Sequence, residues 1–243
     1  MGTPAFRPTA ALGRLERDAL SALPELAPFL VSPGRSQATR RPVPTGLPPL
    51  DALLGGGFPR SRLSEVVGPR TSGRTSVLLQ TLARATAIGG LVALVDVTDS
   101  LDPASARALG VELSQLLWVR CGGRLLAGFR AADVIVRGGG FDVVAVDLGD
   151  LPPGTLARVS TAAVVRLQRG VEAAPTALLL TGPRRVAGSL ASVAVALARD
   201  GLEWARGGPG LLAGFGAEAR LVRSRERAPD AAVRVVWQLA RPR

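Results

Sequence analysis

The segment from Val66 to Ser76, VVGPRTSGRTS, constrains the fold of this chain more than any other part of its 243 residues. It matches the phosphate-binding loop pattern G-x-x-x-x-G-K-[ST] at every position but one, because Arg74 stands where the pattern has lysine. Such a loop joins a buried strand to a helix, and its backbone N–H groups surround phosphate oxygens. The pattern predicts a nucleotide-binding α/β fold, and Arg74 puts hydrolysis in question.

The loop and the start of its helix supply the candidate nucleotide-binding residues. The hydroxyl of Thr75 would bind Mg²⁺ together with Asp147, which follows the apolar run 143–146 and so ends a buried strand. The alternative for Asp147 is that it only caps the strand end. No residue is assigned a catalytic role. The nine candidate binding residues are Gly68, Pro69, Arg70, Thr71, Ser72, Gly73, Arg74, Thr75 and Ser76.

Strand and helix patterns alternate through most of the chain, which predicts a mostly parallel twisted sheet with helices on both faces. The predicted strands are Leu63–Val67, Leu91–Asp96, Leu116–Val119, Phe141–Leu148 and Thr176–Thr181. The predicted helices are Thr75–Ile88, Pro103–Leu109, Leu125–Arg137, Thr155–Arg169 and Ser189–Trp204. A charged hairpin, formed by Ala219–Val222 and Ala231–Leu239, is expected to extend the sheet in the antiparallel sense.

Three regions are predicted along the chain. Apolar residues at helical spacing indicate an amphipathic helix within residues 1–31, and residues 32–44 form a basic, proline-rich linker. Residues 45–243 form the α/β core. The helix could either fold back on this core or reach a partner.

The composition limits the kinds of site and partner. The formal net charge is +11, and every basic residue is arginine, which favours nucleic acid or an acidic protein surface as a partner. Arginine-rich coding alone would also make the chain basic. A single cysteine and no histidine make a disulfide framework or a zinc site within the chain unexpected.

The sequence shows no secretory signal pattern and no apolar run of the length that a membrane span needs. We therefore expect a cytoplasmic protein without membrane contact, associated with the nucleoid when DNA is damaged.

The segment that runs into the loop, residues 45–65, resembles the core of the bacterial RecA recombinase family. It has Thr45-Gly46, then Leu50-Asp51, then the glycine-rich turn 55–57 before the strand. Residues 96–103, DVTDSLDP, are also similar to the RecA segment after the next strand. The resemblance covers about residues 43–223 and implies a RecA-like P-loop ATPase core.

The departures from the RecA pattern concern the residues that act on nucleotide and DNA. The family's catalytic glutamate falls on Thr98, which cannot take a proton from water, and Asp99 lies one position away. The Asn-Gln nucleotide sensor falls on Thr181-Gly182. Residues 186–198 replace the glycine-rich second DNA-binding loop and read as a packed helix, while the first DNA-binding loop is cut to residues 151–155.

This combination of a short RecA-like core and lost catalytic residues resembles the ImuA family of mutagenesis accessory proteins. That resemblance implies translesion synthesis during SOS mutagenesis, with RecA and an ImuB-type inactive Y-family polymerase homologue as partners and an error-prone C-family polymerase in the same system. No cofactor is then required, although ATP and Mg²⁺ could occupy the degenerate loop, and DNA contact would be weak and non-specific. The alternatives are a DNA-stimulated ATPase with an arginine-variant loop, and a direct DNA binder acting through Arg184-Arg185 and residues 220–227.

Overall fold

In the computed structural model, residues 41–204, 210–227 and 229–238 are described. The predicted helix within 1–31 and linker residues 32–40 lie outside this part of the chain. Linker residue Val43 forms an isolated antiparallel bridge with Phe58, so the chain is already paired with the core before residue 45, where the core was predicted to begin.

One eight-stranded sheet organises the described residues. The strands are β1 (Arg62–Val67), β2 (Val92–Asp96), β3 (Leu116–Arg120), β4 (Val143–Asp147), β5 (Ala177–Gly182), β6 (Val193–Trp204), β7 (Leu212–Ser224) and β8 (Ala232–Gln238). Their order in the sheet is β3-β2-β4-β5-β1-β6-β7-β8. The first six strands of this order are parallel, and β7 is antiparallel to both of its neighbours, β6 and β8. The predicted fold class is confirmed.

Helices cover both faces of the parallel strands. They are α1 (Pro48–Leu54), α2 (Arg74–Thr86), α3 (Pro103–Ala108), α4 (Leu125–Gly138), α5 (Pro153–Leu156) and α6 (Thr161–Glu172), with single 3₁₀ turns at Leu113–Gln115 and Gly188–Leu190. Successive residues of β4 point to opposite faces, as a strand requires. Val143 and Ala145 pack with α1 and α2, and Val144 and Val146 pack with α4 and α6.

Two predicted helices differ in the structure. The helix predicted at 155–169 is divided, because the Ser160 side chain accepts a hydrogen bond from the Ala163 amide and begins α6 as a separate helix. The prediction of a helix at 189–204 was wrong, and so was the interpretation of residues 186–198 as a packed helix. After the 3₁₀ turn this segment is strand β6, whose buried start pairs with β1 on one side and β7 on the other.

The reason for the second error is that the start of β6 is buried on both faces. Val193, Ala194 and Val195 are all buried, so the apolar run has neither a two-residue nor a helical period. The predicted hairpin is present but longer, since β7 begins at Leu212 rather than at Ala219. None of the helices within the described residues has the length and hydropathy to cross a membrane.

Candidate functional site

The phosphate-binding loop makes the predicted turn from β1 to α2. Gly73 immediately precedes α2 with φ = 90°, a left-handed conformation that glycine adopts without strain. Gly68 closes the other end of the loop, where a Cβ would lie 2.5 Å from the carbonyl oxygen of Leu197 on β6. Both glycines are therefore required by the turn itself, whether or not a phosphate is bound.

The Arg74 side chain points into the protein and ties the loop to the end of β4. Only 7% of this side chain is exposed. Nη1 donates to the Gly68 carbonyl oxygen (2.5 Å), and Nη2 donates to the Gly149 carbonyl oxygen (2.9 Å) and to Oδ1 of Asp150. The guanidinium is thus bound by two backbone carbonyls and a carboxylate, in the place from which a lysine would reach phosphate.

Asp150 is the carboxylate that neutralises Arg74. The hydrogen bond from Arg74 holds the Asp150 pKa below its ordinary value, and the charges of Arg74 and Arg70 add to this effect. The Arg70 Nε also donates to Asp150, at 3.0 Å, from the exposed side of the loop. Sequence reasoning missed Asp150, because nothing in the sequence links it to a loop that lies 76 positions earlier.

The two residues predicted to bind Mg²⁺ have different surroundings. Thr75 is exposed in the first turn of α2. Asp147 is buried, and its Oδ1 accepts hydrogen bonds from the Gly149 amide (3.0 Å) and the Thr181 hydroxyl (2.8 Å). Burial raises the Asp147 pKa, whereas the hydrogen bonds from Gly149 and Thr181 oppose that shift.

In this arrangement Arg74 does not fit a bound nucleotide. Its guanidinium is bound to Asp150. A charged phosphate would have to displace the carboxylate of Asp150 to reach Nη2 of Arg74. The loop keeps its backbone shape, but its charged side chains are bound to other parts of the protein.

Thr98, at the position of the family's catalytic glutamate, packs onto the end of β4. A Cβ built on Gly149 would overlap its side chain, and its hydroxyl has no hydrogen-bond partner in the described part of the chain. The neighbouring Asp99 cannot replace it. Asp99 accepts from the Gly122 amide (3.3 Å) and pairs with Arg120 (3.4 Å), so it is directed toward the end of β3.

The sensor positions also serve to connect strands. Thr181 donates to Asp147, and the Gly182 carbonyl accepts from the Gly68 amide at 3.2 Å. The carboxyl ends of parallel strands meet at one edge of the sheet, which explains why residues from β1, β4 and β5 gather here. At this edge the contacts join one strand end to another.

Glu65 on β1 holds the segment that was predicted to replace the second DNA-binding loop. Its buried side chain accepts from the Val186 and Ala187 amides, each at 2.7 Å, and pairs with Nε of Arg185 at 3.1 Å. The segment is therefore anchored to the central strand β1. The signal in the sequence that could have indicated this anchor is the one acidic residue inside the strand sequence RLSEVV.

A cavity of about 360 Å³ opens beside the loop. Two of the residues that line it, Leu202 and Phe215, lie opposite each other on β6 and β7, and Trp237 lies opposite Phe215 on β8. The Phe215 and Trp237 rings stack with centroids 4.7 Å apart, and Trp237 reaches the backbone of Gly73. Sequence reasoning did not find this row, because it depends on the register of three strands. The cavity is lined by residues 70–76 and by Asp150, Arg199, Leu202, Leu212 and Phe215.

Comparison with known families decides the ancestry of this arrangement. Residues 32–156, just over half of the chain, match the model of the RecA N-terminal domain. The chain belongs to the RecA N-terminal domain family. The predicted RecA-like core is therefore confirmed.

Individual relatives of this RecA-family chain agree with that assignment. RecA of Methylococcus capsulatus is 35% identical over 161 residues, which cover 59% of this chain and 46% of that protein. RecA of Mesorhizobium japonicum is 37% identical over 161 residues, covering 59% of this chain and 43% of that protein. The matched region thus spans less than half the length of these RecA proteins.

The crystal structure of the RadB recombinase is similar in fold, with a TM-score of 0.59. It is 20% identical in sequence, and the superposition covers 79% of this chain and 94% of the RadB chain. At this identity the likeness concerns the fold alone, and it includes more of the chain than the match to RecA sequences does.

Proposed function

We propose that this chain is a RecA-family accessory protein in DNA damage tolerance, which acts by binding protein partners and hydrolyses ATP slowly or not at all. The observation that carries the proposal is the internal binding of Arg74 to Asp150 and to two backbone carbonyls. Phosphoryl transfer depends on positive charge held at the phosphates, and here that charge is neutralised within the protein. Thr98 supports the same conclusion, because its hydroxyl cannot act as a general base in place of a glutamate.

An ImuA-type role in SOS mutagenesis and translesion synthesis is the specific form of this proposal. The partners would be RecA itself and an ImuB-type inactive Y-family polymerase homologue. Membership of the RecA family supports a RecA-like partner, since a RecA-fold subunit offers surfaces similar to those of RecA. The Arg74–Asp150 contact supports a role that does not need hydrolysis. Direct DNA contact would be weak and salt-dependent, because it would rest on surface arginines.

The second candidate is a DNA-stimulated ATPase with an arginine-variant loop. It is favoured by the exposed Thr75, by the preserved turn and by the cavity beside the loop. In that case ATP would have to draw Arg74 away from Asp150. The two candidates differ in whether Asp147→Ala changes the measured turnover.

Partner binding tests the proposal directly. The purified full chain would be immobilised and exposed to RecA and to the ImuB-type homologue of the same organism, with and without a non-hydrolysable ATP analogue and Mg²⁺. We expect at least one partner to bind with the same Kd in both conditions. Deletion of residues 1–44 would show whether the predicted helix and linker take part.

A parallel ATPase assay with DNA separates the candidates. We expect the slow release of phosphate from the wild-type protein to equal that from Asp147→Ala, because both would report background. Failure of both partners to bind, together with turnover that falls at least about tenfold in Asp147→Ala, would replace the accessory role by the ATPase.

A further inference from the structure

The end of the β6–β7 ribbon exposes four large apolar side chains: Leu202, Trp204, Leu211 and Leu212. We call this group the ribbon end. Trp204 is 57% exposed and Leu211 is 58% exposed, whereas the start of the same strand β6 is buried on both faces. An apolar cluster of this kind on a soluble domain is a mark of an interaction site.

The ribbon end continues into the cavity beside the loop. Leu202 and Leu212 belong to both, since they also line the cavity together with Phe215. Trp204 is two residues beyond Leu202, and a register shift after Glu203 brings it opposite Leu212. The other face of the ribbon is polar at this level, where Gln238 donates to Glu203 at 3.4 Å. Leu202 and Leu212 therefore face the cavity, and Trp204 is paired with Leu212 beside it, while Leu211 directly precedes β7.

The rim of this cavity is positively charged. Arg70 is 83% exposed, and Arg199 is exposed and forms no ion pair with any residue that the structure describes. Asp150 is the acidic residue of the lining, and it is shared by Arg74 and Arg70. The cavity thus has an apolar surface and a rim that carries more positive than negative charge.

We propose that the ribbon end and the adjoining cavity form the docking site for an acidic segment of a partner protein that carries apolar side chains. The inference rests on the proposed function as a binding protein and names the surface that it uses. The leucines and Trp204 of the ribbon end would contact the apolar side chains of the partner segment. Arg70 and Arg199 would attract the carboxylates of that segment and so increase the association rate.

Charge and shape favour this occupant over others. A second copy of the chain also carries a net charge of +11 and so does not complement the arginine rim. A nucleotide would need the guanidinium of Arg74, which is bound to Asp150. A nucleic-acid strand is recognised by a charged groove with stacking aromatics, whereas three of the four exposed apolar residues here are leucines.

Selection from a library of short random peptides displayed on phage, against the full chain, tests the site. Enriched peptides would be synthesised with a fluorophore, and their Kd measured by fluorescence polarisation at several salt concentrations. We expect them to combine Asp or Glu with Leu, Ile or Phe. Both Leu202→Asp and Arg199→Glu should weaken binding by about tenfold or more. Arg199→Glu should also reduce the salt dependence.

Matched controls lie elsewhere on the surface. Ile88→Asp introduces the same charge at an exposed apolar residue beyond α2, and Arg166→Glu reverses an exposed arginine on α6. Both should leave the Kd unchanged. Since Leu202 and Arg199 are exposed, their variants should keep the wild-type melting temperature, and loss of binding would then report the surface rather than unfolding.

Several results would overturn the proposal. These are enriched peptides without an acidic excess, a Kd unaffected by Leu202→Asp, or displacement of the peptide by ATP or by single-stranded DNA at micromolar concentration. If the peptides fail while RecA or the ImuB-type homologue still binds, the docking site is wrong and the proposed function stands. If the peptides fail and neither protein partner binds, both the docking site and the proposed function are wrong.

Discussion

The ion pair between Arg74 and Asp150 can be tested by a double-mutant cycle. Asp150→Ala removes the carboxylate and leaves a guanidinium that is only 7% exposed, still bound to the carbonyls of Gly68 and Gly149. Removing one member of a fully buried pair costs about 3–5 kcal/mol. Because 40% of the Asp150 side chain is exposed, solvent screens the pair, and we expect a loss of about 2 kcal/mol in the free energy of unfolding.

Arg74→Met keeps most of the apolar stem and removes the charge. Two carbonyl oxygens lose a donor, so this variant should also lose about 2–3 kcal/mol. In the double variant the contact between the two side chains is already absent. The double variant should therefore be about 1–2 kcal/mol more stable than the sum of the two single losses implies.

Urea unfolding at neutral pH, followed by circular dichroism, measures all four proteins of the cycle. A control cycle uses Glu218 and Arg220, an ion pair on β7 in which both side chains are about half exposed. That pair should show a coupling below about 0.5 kcal/mol. If the losses at Arg74 and Asp150 add to within about 0.5 kcal/mol, the loop is not anchored by this contact and the reasoning is refuted.

Three further predictions concern Asp150, Asp147 and Gly73. Because Arg74 lowers the Asp150 pKa, ionised Asp150 stabilises the fold above the ordinary value of 3.8, and this stabilisation is lost as the pH falls through the folded-state pKa. Urea unfolding at several acidic pH values should therefore show a smaller difference in free energy of unfolding between wild type and Asp150→Ala than at neutral pH. Burial raises the Asp147 pKa, so charged Asp147 opposes folding above that pKa. Asp147→Asn keeps an acceptor oxygen without the charge, and calorimetry at pH 7 should show the same or a higher unfolding temperature than for wild type. A lower unfolding temperature would contradict this. Gly73→Ala should lose about 2–4 kcal/mol from its positive φ and its contact with Trp237, whereas Gly89→Ala, with a positive φ but open space around it, should lose about 1 kcal/mol.

The sequence was sufficient to predict the strands that carry a short continuous apolar run. In β2 and β4 each run ends in a carboxylate, and the sheet places both Asp96 and Asp147 where their strands end. The strand β6 was not separated from a helix, because its segment, residues 186–198, is an uncharged stretch of 13 residues, a length that favours a helix, whereas β2 and β4 have five residues each. The split between α5 and α6 depends on one capping serine inside a helical pattern.

The site was predicted in part for a related reason. The loop at residues 68–76 is a local pattern, so its turn and its position follow from the sequence. The direction of the Arg74 side chain depends on Gly149 and Asp150, which are brought near only by the folded sheet. The row of Leu202, Phe215 and Trp237 likewise depends on strand register, which sequence spacing does not determine.

Titration of the pure protein with ATP and Mg²⁺, followed by thermal unfolding, tests the central claim most directly. Wild type should show no increase in melting temperature at millimolar ATP, with or without Mg²⁺, because Arg74 is held by Asp150 and two carbonyls. Binding would instead stabilise the fold by RT ln(1 + [L]/Kd), about 2.7 kcal/mol at a hundredfold excess over Kd. A shift of that size that needs Mg²⁺ and disappears in Asp147→Ala would contradict the account.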